Sequence, residues 1–345
     1  MKVAVVSTSA VPSPPPSYGG MEAIASYVAE ALAEQHEVTM LAAKGSHTTK
    51  AALFETVEPA YEPSAGGPIE YSAWKAMKDE LPKFDVVIDH THFFHAARLR
   101  DKYGHTGVRM IKVVHDLLPW GTPPPPASYD VLAGVSKFHA KYLQRFWGVP
   151  VAHLYNGIPT DQIPYSGKKD DYLLFLSRLD PGKGADGFLN IIERTGARGI
   201  LAGEDDPNHG ISTAYRDFIC QRSRHLGVDY RGTVSDMEKK ELLRHARAVV
   251  VPLADPYREV FGIWMVEANA AGTPVFTLDK GACQELLTRE TGGVADTLEN
   301  LAVGLEAFLG GEYDFDPVTC RVQAQKFDIS VSVKSYLAAV DSLTQ

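Results

Sequence analysis

Glu259 and Glu267 stand eight positions apart, with a Phe261-Gly262 step between them, in the run Arg258-Glu259-Val260-Phe261-Gly262-Ile263-Trp264-Met265-Val266-Glu267-Ala268. A helix that starts near Phe261 or Gly262 leaves Glu259 in the preceding loop and puts Glu267 inside the second turn. Glycine at that junction lets a ligand approach the backbone closely. The free N–H groups of the first turn, helped by the helix dipole, can hold a diphosphate or a sugar oxygen. Carboxylates only accept hydrogen bonds, so such a pair suits hydroxyls, one group beside a sugar and one beside a ribose diol. The bare pair also has an ordinary reading, in which Glu259 caps the helix and Glu267 is solvated or salt-bridged.

Arg178 and Lys183 lie five residues apart in Ser177-Arg178-Leu179-Asp180-Pro181-Gly182-Lys183-Gly184. On a strand-to-helix loop they can clamp a diphosphate, Arg through its planar fork and Lys as a point charge; the alternative is two surface cations. Near the other end, Gly19-Gly20 can form an anion nest, or simply a turn that starts a helix. His90, His115 and Ser136 each stand where an apolar run stops. His90 and His92 could suggest a metal, but no third and fourth ligand stands at diagnostic spacing.

The elements that must position these groups follow a strand–helix rhythm. Lys2–Ser7 is a buried β-branched run, followed by a loop with Pro12, Pro14, Pro15 and Pro16. Ile24, Val28, Ala31 and Leu32 then repeat at helical spacing from near Met21. Strands are expected at 36–42, 85–88, 109–114 and 131–135, then again at 172–176, 199–202, 229–232, 248–253 and 273–277. Ser235 and Glu238 form a capping box for the helix that carries Leu242 and Leu243. Residues 157–170 read as an interdomain linker. The expected fold is therefore α/β, with two Rossmann-like βαβ domains facing each other across a cleft: residues 1–163, residues 164–328, and a C-terminal helix in 329–345 that packs back on the first domain. In open α/β sheets ligands lie beyond the carboxyl ends of the strands, which makes His90, His115 and Ser136 candidates by position alone.

Composition narrows the function. The chain has 345 residues, 45% apolar and 22% charged, enough for two globular domains. Its net charge of −9 argues against nucleic acid as the main partner. Residues 1–163 hold 14 Lys+Arg against 16 Asp+Glu, and the remainder 20 against 27, so an anionic membrane finds room only in the first half. Cys220, Cys283 and Cys320 are too scattered for a disulfide framework and read as buried reduced thiols. With neither a signal peptide nor an apolar run of membrane-spanning length, the expected location is cytoplasmic.

The Glu259–Glu267 stretch resembles the E-x7-E signature of retaining glycosyltransferases, particularly the family 4 enzymes of GT-B fold. Tyr18-Gly19-Gly20-Met21-Glu22, Asp89-His90-Thr91-His92, Val114-His115-Asp116, Gly134-Val135-Ser136 and Tyr155-Asn156-Gly157-Ile158-Pro159 match the same family in the same order. Arg178 to Gly184 looks like its G-R-x-x-x-x-K-G loop, and Ala271-Gly272-Thr273-Pro274-Val275 follows the Glu pair. The likeness runs along nearly the whole chain, with gaps mainly at 45–82 and 118–130. Two places depart from the pattern and leave the donor open: Gly281-Ala282-Cys283-Gln284-Glu285, where two glycines and Pro-Glu are usual, and Asn269-Ala270-Ala271.

The resemblance implies a hexosyltransferase that uses a nucleoside-diphosphate sugar, with UDP the leading guess for the nucleotide. It assigns Arg178 and Lys183 to the leaving diphosphate, Glu259 to the transferred sugar and Glu267 to the ribose. It puts His115 near the sugar, where it could steady oxocarbenium charge. Catalytic residues on this reading are Glu259, His115, Arg178 and Lys183. Donor-binding residues are Gly19, Gly20, Gly203, Gly232, Val260, Phe261, Gly262, Ile263 and Glu267. Asp205-Asp206 is not placed like a metal-binding DxD and addresses ribose or solvent, so no metal and no other cofactor is expected. The acceptor, a sugar, small metabolite or natural product rather than a lipid, belongs against the first domain, at loops 12–18, 91–95 and 118–127. The mechanism implied is front-face displacement with retention. A nucleotide-sugar epimerase and a non-catalytic nucleotide-sugar-binding protein are the competing readings on the same scaffold.

Overall fold

Two parallel sheets carry the chain in the computed structural model, which describes residues 1–17, 19–60, 67–104, 107–118, 128–207 and 210–343. One compact unit comprises Met1–Ile158 with Ile329–Gln345, the other Pro159–Asp328. In the first, seven strands run in the order β3-β2-β1-β4-β5-β6-β7: β1 (Lys2–Val6), β2 (Glu37–Ala42), β3 (Ala52–Glu55), β4 (Val86–Asp89), β5 (Arg109–Val114), β6 (Val131–Gly134) and β7 (Ala152–His153). Val3 pairs with Val38 on one side and Val86 on the other. The strands read as unbroken apolar runs because helices cover both faces.

Around this sheet lie α1 (Gly20–Leu32), α2 (Pro68–Ala76), α3 (His95–Tyr103) and α4 (Lys137–Trp147). Ile24, Val28 and Leu32 of α1 are fully buried, as the helical spacing expects. Helix α2 lies in the stretch where the family pattern gave no guidance; its Trp74 is fully buried among Leu81, Phe94 and Met110. Ser136 caps α4 by accepting the His139 N–H at 3.0 Å, and Gly148 closes it in the left-handed conformation.

The second unit has six strands in the order β10-β9-β8-β11-β12-β13: β8 (Leu173–Leu176), β9 (Gly199–Ala202), β10 (Asp229–Gly232), β11 (Ala248–Val251), β12 (Val275–Leu278) and β13 (Gly292–Ala295). Its helices are α5 (Ala185–Thr195), α6 (Thr213–Leu226), α7 (Asp236–His245), α8 (Ile263–Ala270), the short α9 (Cys283–Leu286), α10 (Leu298–Leu309) and α11 (Pro317–Gln325). Phe175 of β8 packs on Phe188 of α5 with ring centroids 5.7 Å apart. The Ser235 hydroxyl accepts the Glu238 N–H at 3.2 Å, which is half of the expected capping box; the Glu238 carboxylate instead accepts from Arg231 at 3.0 Å.

The chain leaves the first unit at Ile158, ahead of the position 163 taken as the boundary from sequence. Residues 159–163 are tied to the second unit: Thr160 donates N–H and O–H to Asp328, and Arg321 donates to the Ile163 carbonyl at 2.8 Å. Helix α12 (Ile329–Ser342) returns to the first unit and contacts α1, and the Ile329 N–H donates to the Ile158 carbonyl at 2.9 Å. Cys283 and Cys320 are buried with their thiols pushed up to about 12 by burial, whereas Cys220 is partly exposed, contrary to the reading of all three as buried. Among the described residues no helix is long and apolar enough to cross a membrane.

In each sheet the strand order reverses direction beside the unit's first strand, between β1 and β4 and between β8 and β11. A crevice opens at such a switch point, outside the carboxyl ends of the strands, where α/β proteins bind ligands. The candidate residues lie there.

Candidate active site

Beyond the second unit's switch point, the loop after β8 carries Arg178 and Lys183 and the loop after β11 carries Glu259. Lys183 Nζ lies 2.6 Å from Glu259 Oε2, and both residues are buried. Trp264 Nε1 donates to the same oxygen at 3.0 Å, and the Tyr257 hydroxyl donates to Oε1 at 3.3 Å. Lys183 Nζ also sits 4.3 Å from the centroid of the Tyr257 ring, a cation–π contact. Burial alone would push the Glu259 carboxyl up; the Lys183 charge and the three donors hold it below the usual range. Burial likewise works against the Lys183 charge, and Glu259 more than restores it. Both groups are therefore fixed in their charged forms.

The backbone of Glu259 is held as firmly as its side chain. Its N–H donates to the Lys280 carbonyl at 3.0 Å, and its carbonyl accepts the Ala282 N–H at 2.8 Å. Gly281 between them has φ +92°, and a Cβ there would stand 2.2 Å from the Glu259 carbonyl oxygen. The departure at residues 281–285 thus lies directly against Glu259, where its glycine is required.

Helix α8 begins at Ile263, just past the start near Phe261 or Gly262 expected from sequence, because Gly262 is its N-cap at φ +75°. That left-handed turn separates Glu259 from the helix, and of the first-turn N–H groups that of Met265 donates back to the Gly262 carbonyl at 3.0 Å. Phe261 does not enter the helix; its ring is buried against Phe327, with centroids 5.8 Å apart. Glu267, inside α8, pairs with Lys239 of α7 at 2.7 Å, as the ordinary reading allowed. Burial works against the Lys239 charge, but Glu267 and Asp236 hold its ammonium above the ordinary value.

Arg178 reaches Asp180 at 3.5 Å and keeps about a third of its side chain exposed. Gly203 and Gly232 close β9 and β10, and the Gly203 N–H donates to the Gly232 carbonyl at 2.9 Å. Asp205 accepts from Tyr230 at 2.7 Å and from Thr233 at 3.0 Å. The second unit therefore brings together Lys183, Glu259, Val260, Phe261, Gly262 and Ile263. Tyr257, Trp264 and Lys239 escaped the sequence reading, since an aromatic or a lysine one turn or many residues away gives no periodic signal. Among the described residues no group of three His, Cys, Asp or Glu is arranged to hold a metal ion.

The first unit gathers a separate cluster at its own switch point. Gly19 and Gly20 follow β1 and open α1, whose Glu22 is buried and accepts from the Thr8 hydroxyl. Tyr18 lies outside the described residues, as do 119–127 of the suggested acceptor loops. His90 Nδ1 and His115 Nε2 are 2.8 Å apart. Burial holds both imidazoles neutral, His90 down to about 3 and His115 well below its ordinary value, and for His115 the His90 ring adds to the effect. His92 Nδ1 meets Asp116 Oδ2 at 2.9 Å. There burial opposes the charge, but Asp116, with Glu70 and Glu22 beyond it, raises the pKa. Beneath them Lys112 and Asp89 form a fully buried ion pair at 3.1 Å, and Lys112 also donates to the Phe93 carbonyl at 3.2 Å. His90 stacks on Tyr336 of α12, with centroids 6.1 Å apart. Ser136 is spent on capping α4.

The chain is similar to known proteins in family and in fold. Residues 160–309 match the family model for glycosyl transferases group 1, and residues 18–162 match that for Glycosyltransferase Family 4. An uncharacterised glycosyltransferase of Methanocaldococcus jannaschii is 33% identical over 138 residues, which is 37% of this chain and 33% of that protein. The matched stretch thus spans about a third of that relative's length. Among solved structures, AviGT4, a glycosyltransferase involved in avilamycin A biosynthesis, superposes with TM-score 0.72 at 22% identity, over 99% of this chain and 97% of that one. Anabaena HepE in complex with UDP and glucose gives TM-score 0.74 at 15% identity, over 99% and 100%. At these identities the likeness is one of fold.

Proposed function

Because the chain belongs to the group 1, family 4 glycosyltransferases, we propose that it transfers a hexose from a UDP-sugar to a hydroxyl acceptor, with retention at the anomeric carbon and without a metal. The observation that carries this reading is the buried Lys183–Glu259 pair at the switch point, 2.6 Å long and anchored by Trp264. Lys183 and Arg178 supply fixed positive charge where a diphosphate departs, and the first-turn N–H groups of α8 add to it. Charge supplied this way takes the role a divalent ion has in other transferases.

Glu259 serves as a hydroxyl acceptor for the sugar rather than as a nucleophile. One of its oxygens is taken by Lys183 and Trp264; the other receives only a long contact from Tyr257 among the described residues. Retention then follows from a front-face displacement. The C1–O bond to the diphosphate breaks, the acceptor oxygen bonds to C1 on the same face, and a diphosphate oxygen takes its proton. Glu267, steered by Lys239, anchors the ribose diol. By the family resemblance, His115 of the first unit serves the transferred sugar, Gly19-Gly20 the diphosphate, and the first unit as a whole the acceptor. We place the reaction in the cytoplasm.

A thermal-shift panel of UDP, GDP, ADP and dTDP tests the donor assignment. A ligand that binds only the folded protein raises its melting temperature. UDP is expected to give the largest rise, and Lys183→Ala to abolish it. A larger rise with GDP or ADP would reassign the nucleotide.

A further inference from the structure

Helix α4 presents an exposed face that the transfer reaction does not use. Lys137, Lys141 and Arg145 recur at i, i+4 and i+8, and Phe138, Tyr142 and Phe146 recur in the same way one position later. At about 100° per residue the cations fill one sector of the helix and the aromatics the next. His139, Ala140 and Leu143 fill the third, which is buried against the fold. Lys137, Lys141 and Arg145 are exposed, Phe146 is 52% exposed, and Phe138 and Tyr142 are half-buried and packed together with ring centroids 6.1 Å apart.

The charge is local and one-signed. No Asp or Glu occurs between Asp130 and Asp161, in a chain whose net charge is −9. Neither Lys141 nor Arg145 has an ion-pair partner among the described residues. Three cations beside three aromatic rings, on an acidic protein, match an anionic lipid surface: the cations meet headgroup phosphates, and Phe146 and Tyr142 enter the headgroup boundary. A polynucleotide fits less well, because its field extends over the acidic remainder of the chain, whereas a membrane meets this face alone.

We propose that α4 docks the protein peripherally on anionic membranes. Ser136, at the carboxyl end of β6, starts this helix. The docked face therefore begins at the end of the sheet where the first unit's candidate residues lie, so acceptors at a membrane surface would reach it directly. The docking itself does not depend on the transferase reading.

Co-sedimentation of the full chain with phosphatidylcholine vesicles, with and without phosphatidylglycerol, tests it. Retention on the anionic vesicles only is expected, and it should fall as salt is raised. Replacing one cation should lower partition about fivefold, so Lys141→Gln with Arg145→Gln should lower it by more than about tenfold. Phe146→Ser should lower it several-fold, and melting temperatures should hold for both variants. Absence of binding to the anionic vesicles overturns the proposal, as does equal partition of folded variants and wild type, or capture by RNA in preference to vesicles. Turnover of nucleotide sugar with a soluble acceptor is a separate readout. Its failure would count against the transferase reading and leave the vesicle result standing.

Discussion

Lys183 and Glu259, 76 positions apart in sequence, meet as a buried ion pair with Nζ 2.6 Å from Oε2. Breaking one partner of such a pair leaves an uncompensated buried charge. Lys183→Met should therefore cost ~3–5 kcal/mol of stability. Adding Glu259→Gln should recover about 1–3 kcal/mol of the sum, because the two residues are coupled. Urea unfolding of the single and double variants measures both quantities. The pH window follows from the signs. Glu259, lowered in the fold, contributes fully above its unfolded value of about 4.3 and loses that as pH falls through its folded value. Lys183, raised in the fold, contributes fully below about 10.4 and loses that as pH rises through its folded value.

Acid should strike the first unit earlier. His90 and His139 are held neutral, down to about 3 and about 4, by burial, and His115 is also lowered. A histidine whose folded pKa is depressed leaves the unfolded chain holding more protons below about 6.5, so stability falls as pH drops from there. Each such group steepens the slope by about 1.4 kcal/mol per pH unit. His92, raised by Asp116, opposes them as a single group. Urea midpoints of the first unit at about pH 7 and pH 5 should therefore diverge. His90→Phe, which keeps the stacking on Tyr336, should flatten the slope.

Much of this was legible in the sequence. The apolar runs located ten of the strands to within two or three residues, and the order of Arg178, Lys183, Glu259 and Glu267 pointed to one site. The short strands β3, β7 and β13 were missed. β7 is only two residues long, and Gly292-Gly293 reads as a turn although the strand is set by its pairing with β12. The role of Lys183 as the direct partner of Glu259 was also hidden. Nothing in local spacing reports that two loops, following non-consecutive strands, will be neighbours. That fact belongs to the order β8-β11 in the sheet.

Gly281 should be intolerant of a side chain. At φ +92°, with the Glu259 carbonyl 2.2 Å from any Cβ, Gly281→Ala combines backbone strain with a clash against the site loop. Gly227, also left-handed at φ +68° but with nothing within 4 Å, isolates the strain alone. Gly227→Ala should cost about 1–2 kcal/mol. Gly281→Ala should cost clearly more and lose donor turnover as well. Calorimetric melting and a nucleotide-release assay separate the two effects.

Lys239 should tune donor binding without entering the chemistry. It holds Glu267 at 2.7 Å on the α7 side of α8. Lys239→Met leaves Glu267 free to turn from the ribose, an interaction equally present in ground and transition states. KM for the donor should rise roughly tenfold with kcat changed less than about twofold. A fall in kcat with KM unchanged would place Lys239 in the transition-state machinery instead.

Proton NMR of UDP-glucose incubated with the protein tests the central account most directly. The account predicts slow release of UDP with glucose appearing first as the α-anomer, acceleration by a competent acceptor, and loss of both with Glu259→Gln. Glucose appearing first as the β-anomer, a new nucleotide sugar without UDP release, or full turnover by the Glu259→Gln variant would contradict it.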